Sequence, residues 1–480
     1  MTLKLIIVGA SITGLSLANM IEELSLDIEF VVLEAYPRIA PQVGASIGLL
    51  PNGLRILDQL GCYERIRSIA GNFYLKTVMR NSQGHLLTES RGASVSERLE
   101  ERTGYPSLFI DRQMLLQVLY DNLKQKSRVI PGKRVIRADL DSDRARVHTE
   151  DGSTYEGDLV VGADGVHSII RREMWRIASE VESNPFLPDE GSRLKSKTRC
   201  IFGISKTPDR YPSATQHAVF YDGWSYLTVS GPGDRLYWFL FCAMPRMAYG
   251  KDIPRWSKED ETKLAVQHAS DRITDGVTFA DVYNNRQVST LVSLEEHVFS
   301  RWHFGRFITI GDSAHKVHPI TAQGGNGAME SAAALVNALS SRLQNTQNLS
   351  PDDIEAVFSE VQSRRFRRAE DIVKEGEMIQ SIVNQQYPFS ALMINYLVPV
   401  FGDRLFFDGW LKNSVGGLRV EGLPLPQRSK NKAFKDELMT TNSNDRYWKL
   451  WSITIGLGSL LASWFLLHGG RMPTTFMKLG

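Results

Sequence analysis

The first residues able to do chemistry are two glycines and an acid. Gly9-Ala-Ser-Ile-Thr-Gly14 follows an apolar run, and Glu34 lies 20 residues beyond Gly14. A glycine at the first position permits a tight strand-to-helix turn. The following helix offers unpaired N–H groups and the positive end of its dipole to a pyrophosphate, and a carboxylate after the next strand can accept both hydroxyls of a ribose. Ser11 stands where the G-x-G-x-x-G pattern has its middle glycine, so the hexapeptide alone is weak and its context carries the reading. An acid at 34 suits a ribose without a 2′-phosphate, which favours NAD or FAD over NADP at this site.

Two further turns have the same build. Asp158-Leu-Val-Val-Gly162-Ala-Asp164-Gly165-Val-His-Ser168 and Phe307-Ile-Thr-Ile-Gly311-Asp312-Ser-Ala-His315 are each an apolar strand running into a Gly/Asp turn. The elements that would position these turns can be read around them. Residues 3–8 and 29–33 read as strands, and residues 15–24 carry apolar positions at helical spacing, together a βαβ unit. Residues 51–60 read as a helix with Pro51 near its start and Gly61 past its end. Asp111 is the expected N-cap of a helix over 112–123. Residues 144–149 and 154–161 read as paired strands about the turn Asp151-Gly152. Residues 200–244 alternate in short aromatic runs, the pattern of a mostly antiparallel sheet. Residues 327–343 form an alanine-rich helix, and Gly, Pro and charge at 416–435 read as a linker.

The 480 residues are 42% hydrophobic and 23% charged, with 56 Lys plus Arg against 54 Asp plus Glu for a net charge of +2. That balance disfavours a disordered chain, a collagenous chain and a basic nucleic-acid-coating protein, and the length implies two or three domains. Cys62, Cys200 and Cys242 are odd in number and contain no CxxC pair, so a reducing compartment is expected and a thiolate metal site is not. His315 and His318 invite a metal reading, but Pro319 interrupts a regular helix there and no metal is expected. Arg364, Arg365, Arg367 and Arg368 read as a solvated helix face.

The three turns, in this order, resemble the fingerprints of the group A flavin-dependent monooxygenases, and the resemblance covers roughly residues 1–420. The run 44–61, the strand at 200–205 and the apolar C-terminus are similar to the paxM-type FAD-dependent monooxygenases, fungal epoxidases of terpenoid and meroterpenoid pathways. The resemblance implies FAD as cofactor and NAD(P)H as electron donor. It gives Asp312 the ribityl hydroxyls and Gly325, in Gly324-Gly325-Asn326, a backbone N–H facing the flavin's pyrimidine edge. Arg112 lies along the FAD chain, Gly48 makes a close backbone approach, and Asp164 sits near the pyrophosphate. Competing readings are a helix-capping aspartate for Asp312 and a surface ion pair for Arg112. Tyr221 is the candidate catalytic hydroxyl, against one more aromatic in a sheet core. Phe202, Phe220, Tyr226, Tyr237, Trp238 and Phe239 are expected to join it around an apolar pocket.

The fold class expected is α/β: a Rossmann-like FAD-binding domain, an inserted β-rich substrate domain, a helical tail and a C-terminal transmembrane helix. The boundaries are 1–175 for the first part of the FAD domain with an excursion at 73–108, 176–285 for the β-rich domain and 286–345 for the second part. A helical region at 346–420, a linker at 421–446 and an anchor at 447–470 complete the chain. Residues 451–467 are uncharged, at 1.5 Å per residue about 26 Å long, with Trp448, Trp451 and Trp464 at interfacial positions. Lys430, Lys432, Lys435, Arg446 and Lys449 precede the run and would keep the catalytic body on the cytoplasmic side, as expected for an endoplasmic-reticulum membrane protein. A helix lying on the membrane is the alternative, and residues 392–401 read as a core or monotopic contact.

The activity the resemblance implies is epoxidation of a prenyl-chain alkene on a lipophilic substrate, with a terpene cyclase downstream and no nucleic acid. Aromatic hydroxylation and a membrane-tethered flavin-binding scaffold without turnover are the alternatives.

Overall fold

The computed structural model describes residues 2–438 except 42, 43, 45, 91, 142 and 347. The apolar run expected as a membrane anchor lies outside the described residues, and among those described no helix is long and apolar enough to cross a membrane. Residues up to Phe434 form one compact unit, and Lys435–Leu438 is a short helix of a second.

The dinucleotide-type half is built on a six-stranded sheet. Its order is His303–Phe304, Phe307–Thr309, Leu159–Gly162, Leu3–Val8, Ile28–Leu33 and Val129–Ile130. All neighbours are parallel except the edge pair His303–Phe304 with Phe307–Thr309. Continuous apolar strands such as Leu159–Gly162 are what burial on both faces requires. One face packs under the helices Ile12–Glu23 and Gln323–Leu343, around Leu15, Met20, Met329 and Leu335. The other packs under Ile169–Ala178 through Ile170 and Met174.

The run expected as one strand over 154–161 is two. Thr154–Gly157 pairs with Ala145–Thr149 as a hairpin, and Leu159–Gly162 belongs to the parallel sheet. The break falls at Asp158, whose Oδ2 accepts the Lys4 N–H at 2.7 Å and turns the chain from one sheet into the other.

The β-rich half is an eight-stranded sheet. In order its strands are His315–Lys316, Arg286–Val298, Lys195–Lys206, Arg235–Tyr249, Trp224–Gly231, Thr215–Phe220, Lys76–Asn81 and Leu86–Glu89. Pairing is antiparallel except where Thr215–Phe220 meets Lys76–Asn81. His315–Lys316 comes directly from the third Gly/Asp turn, so that turn is stitched to this sheet.

Two stretches read as solvated are packed. In the helix Pro351–Val383, Arg365 is buried and pairs with the buried Glu330, as does Arg368. Arg364 and Arg367 alone of the four take the solvent side, because the helical period turns 365, 368 and 369 inward. The Gly/Pro-rich segment after 416 is a strap. Gln59 Nε2 donates to Val420 O at 2.9 Å, Asn337 Oδ1 accepts the Glu421 N–H at 2.9 Å, and Val420 and Phe434 are fully buried.

Candidate active site

The three Gly/Asp turns lie at the carboxyl ends of three adjacent parallel strands, Leu3–Val8, Leu159–Gly162 and Phe307–Thr309. That is where an open α/β sheet forms a ligand crevice. The first turn needs its glycines. Gly9 has φ +107°, and a Cβ there would stand 2.5 Å from Ala163 O; one on Gly14 would stand 2.0 Å from Gly9 O. The helix Ile12–Glu23 has Ser11 at its N-cap, but the Ser11 side chain caps nothing. Its hydroxyl instead accepts a hydrogen bond from Arg112 Nη2 at 2.6 Å.

Glu34 closes this turn from the next strand. One carboxylate oxygen accepts the Ala10 N–H at 2.7 Å and the other the Tyr36 N–H at 2.8 Å. Arg112 opens the helix Arg112–Asn122 and is half-buried; loss of solvent lowers its pKa, while Asp312 and Glu34 act in the opposite direction. A guanidinium bonded to Ser11 and under the influence of both carboxylates is not a surface ion pair. Asp111 is the N-cap by backbone geometry, but its side chain makes no cap bond: Oδ1 accepts from the Tyr237 hydroxyl at 2.6 Å.

The second and third turns are bonded to each other. Ser313 Oγ donates to Asp164 Oδ1 at 3.1 Å and accepts the Gly165 N–H at 2.8 Å, and Asp164 Oδ2 accepts the Ile169 N–H at 2.7 Å. The third turn meets the first at Gly311, φ +64°, where a Cβ would stand 2.4 Å from Thr13 Oγ1. Asp312 pairs with Lys316 of the strand His315–Lys316 that follows the turn. Burial raises the Asp312 carboxyl, but Lys316 and Arg112 hold it below the ordinary carboxylate range, so it is an acceptor at neutral pH. Ser313, Lys316 and Thr13 were not singled out from the sequence. No periodicity signals Lys316, because its approach to Asp312 depends on the strand His315–Lys316 that follows the turn.

The helix Gln323–Leu343 starts at Ala322, held left-handed at φ +52°. Asn326 ties it to the strand Ser46–Leu49, donating to Gly48 O at 2.9 Å and accepting the Leu50 N–H at 3.2 Å. A Cβ on Gly48 would press on Ala322 and Phe109 at 3.1 Å, so this strand is packed closely against both. Gly325 faces Ile47 and Ile12, whereas the space beyond Gly324 is open. Gly9, Gly14, Glu34, Gly48, Arg112, Asp164, Asp312 and Gly325 are therefore brought around one crevice.

Tyr221 is not brought there. Alternate residues of a strand face opposite sides. Tyr221, Tyr226 and Trp238 share the outer face with the helices Lys258–Gln267 and Phe279–Asn284. The Tyr221 hydroxyl donates to Arg272 O at 3.1 Å and accepts the Arg272 N–H at 2.8 Å, and its ring stacks on Trp224. The inner face carries Phe202, Tyr237 and Phe239. Phe239 and Phe241 stack with centroids 5.7 Å apart, and Phe241 lies 5.7 Å from the His318 ring just after the third turn. Beyond Phe109 is a gap with room for about one water, lined by Phe73, Leu75, Val95, Phe406 and Trp410 with the neutral polar groups of Thr77, Ser96, Ser107 and Gln216.

Three convergent turns at the switch point of a parallel sheet, with an aromatic sheet face beside them, define a dinucleotide-binding oxidoreductase. The residues fit FAD: turns that a single Cβ would fill, a helix N-terminus without a side-chain cap, and carboxylates at both ends of the crevice. Residues 2–184 and 243–352 match the FAD binding domain family. FAD-dependent monooxygenase cdmI of Talaromyces verruculosus is 36% identical over 468 residues, covering 95% of this chain and 94% of that one. FAD-dependent monooxygenase spyC of Aspergillus fumigatus is 39% identical over 430 residues, 89% of each. The crystal structure of Klebsiella pneumoniae HpxO complexed with FAD and uric acid superposes with a TM-score of 0.67 at 23% identity, covering 88% of this chain and 98% of that one. The chain belongs to the FAD binding domain family and is an FAD-dependent monooxygenase, which sets aside a scaffold without turnover.

Proposed function

We propose that the enzyme uses NAD(P)H and O₂ to epoxidise a prenyl-chain alkene of a lipophilic terpenoid or meroterpenoid intermediate in fungal secondary metabolism. When bound, the flavin supplies the two-electron reduction of O₂ and delivers one oxygen atom to the substrate. The protein's part is to hold the cofactor and keep water out. Gly9, Gly14 and the Ile12–Glu23 helix N-terminus would take the pyrophosphate, Glu34 the adenosine ribose, and Asp312 and Arg112 the ribityl chain. Gly324-Gly325 would present backbone N–H groups to the ring, and Asp164 would fix the neighbouring turn.

The observation that supports the substrate class is the inner face of the substrate sheet, where Phe202, Phe239 and Phe241 gather as an apolar aromatic surface. Hydroxylating a phenol is helped by a base that removes the phenolic proton; an alkene is nucleophilic as it stands and needs only a dry, apolar seat. The relatives cdmI and spyC come from fungi, which agrees with a secondary-metabolite role. The same reading takes a terpene cyclase as consumer of the epoxide. It places the enzyme on the endoplasmic-reticulum membrane through its C-terminal segment, with the catalytic body cytoplasmic. Product mass spectrometry after incubation with prenylated aromatics under ¹⁸O₂ tests it. One labelled oxygen on an isoprene unit is the expected result, and a labelled phenol would establish aromatic hydroxylation instead.

A further inference from the structure

The chain from 387 to 402 contains no Asp, Glu, Lys or Arg. It supplies the first half of a helix that runs through Ser390–Leu392, a π turn at Met393–Leu397 and Val398–Val415. One side of this helix is core. Ile394, Val398 and Phe406 pack on Met79 and Phe220 of the substrate sheet, and Phe406 and Trp410 line the gap beyond Phe109. The other side is apolar and open to solvent: Phe389 is 70% exposed, Leu392 58%, Tyr396 69% and Val400 70%. Spacings of three, four and four residues keep these four on one stripe of the helix. A contiguous row of large apolar side chains on a soluble surface marks a site of attachment.

We propose that this stripe is an interfacial contact with a lipid bilayer, laid flat in the headgroup region. Three observations select lipid as the occupant. The uncharged stretch is shorter than the roughly 20 residues of a span and has one side committed to the core, which leaves in-plane binding as its membrane mode. Aromatic and aliphatic side chains alternate along it, the composition of an interface-seeking face. The third is where the chain leaves the compact unit. Lys432 N–H donates to Arg102 O at 2.8 Å at the end of the helix Val95–Thr103, whose Arg98 pairs with Asp403 at 2.8 Å. The first compact unit therefore ends next to the helix Val95–Thr103, which is tied to the helix bearing the stripe, and the sequence beyond it carries an apolar run at 451–467. The contact does not depend on which molecule the enzyme oxidises.

The test uses the full-length holoenzyme. Cys62, Cys200 and Cys242 are all buried, so a thiol-reactive, environment-sensitive fluorophore can be directed to Val400→Cys or Tyr396→Cys, with Val266→Cys, 70% exposed on the outer helix, as the reference. Retained flavin absorbance certifies the fold of each. On adding phosphatidylcholine–phosphatidylinositol vesicles, emission at 396 and 400 should shift to the blue and rise, and lipids spin-labelled on the acyl chain should quench it, while 266 stays unchanged. Emission unmoved by vesicles, or unquenched by the spin label, overturns the proposal. So does a blue shift that tracks protein concentration without vesicles, which means a second copy. Emission already blue and indifferent to vesicles overturns it too, and assigns the stripe to a cover from the chain's own C-terminal segment.

Discussion

Ser313 and Asp164 are 149 residues apart in the chain, yet the Ser313 hydroxyl donates to the Asp164 carboxylate at 3.1 Å. The same hydroxyl accepts the Gly165 N–H, so one fully buried oxygen holds the second and third turns in register. Ser313→Ala leaves an N–H and a carboxylate short of a partner. Together the two lost bonds, between partly buried groups, cost about 1–2 kcal/mol. Equilibrium titration of the apoprotein with FAD should therefore show affinity reduced by about 5- to 30-fold. Unchanged affinity would mean that the two turns are held together by other contacts.

Tyr221→Phe should leave turnover within about two-fold of the parent, because the hydroxyl is spent on both backbone groups of Arg272 on the outer sheet face. The cost should appear in stability, about 1–2 kcal/mol by urea denaturation, as the Arg272 N–H loses its acceptor. A steady-state kcat lower by ten-fold or more with unchanged stability would restore Tyr221 to the reacting centre.

The cofactor crevice was legible because its demands are local. A strand must end, a glycine must take positive φ, and a carboxylate must follow, and each demand leaves its own residue in the sequence, as Gly9, Gly311 and Asp312 do. The face of a strand is not local. Alternation in 215–242 divides the aromatics into two sets, but which set meets the cofactor is fixed by Asp111 reaching Tyr237 from another segment, and no periodicity reports that. The same holds for Arg365 and Arg368, whose burial rests on Glu330 in a separate helix, and for the strap after 416, whose polar composition is satisfied by Gln59 and Asn337 rather than by water.

Glu330 is fully buried between two guanidiniums. Burial alone would raise its carboxyl, but Arg368 and Arg365 pull it down to about 2. A folded-state pKa below the ordinary 4.5 contributes stability that is complete above that value and is lost as pH falls toward about 2. Glu330→Gln strands two buried cations and should cost about 3–5 kcal/mol at neutral pH. Urea midpoints measured across the acid range should also fall less steeply in the variant. A parallel pair of pH profiles would show that the cluster carries no such linkage.

Glu296 has the opposite sign. It stands in the strand Arg286–Val298 opposite Lys195, whose ammonium is taken by Glu377 at 2.7 Å, and its Oε1 is buried with no hydrogen-bond partner among the described residues. Burial, with Glu377 nearby, pushes its carboxyl up to about 8. Between the ordinary 4.5 and about 8 the folded chain therefore holds one proton more than the unfolded chain, and stability declines as pH rises through that window. At about 1.4 kcal/mol per unit, with allowance for solvent reaching the site, the loss is on the order of 2–4 kcal/mol. Glu296→Gln removes the titration and keeps the shape, so the variant should match the parent near pH 5 and exceed it in thermal midpoint near pH 8. A variant less stable than the parent at pH 8 would mean that the Glu296 carboxylate is ionised and paired in the native state.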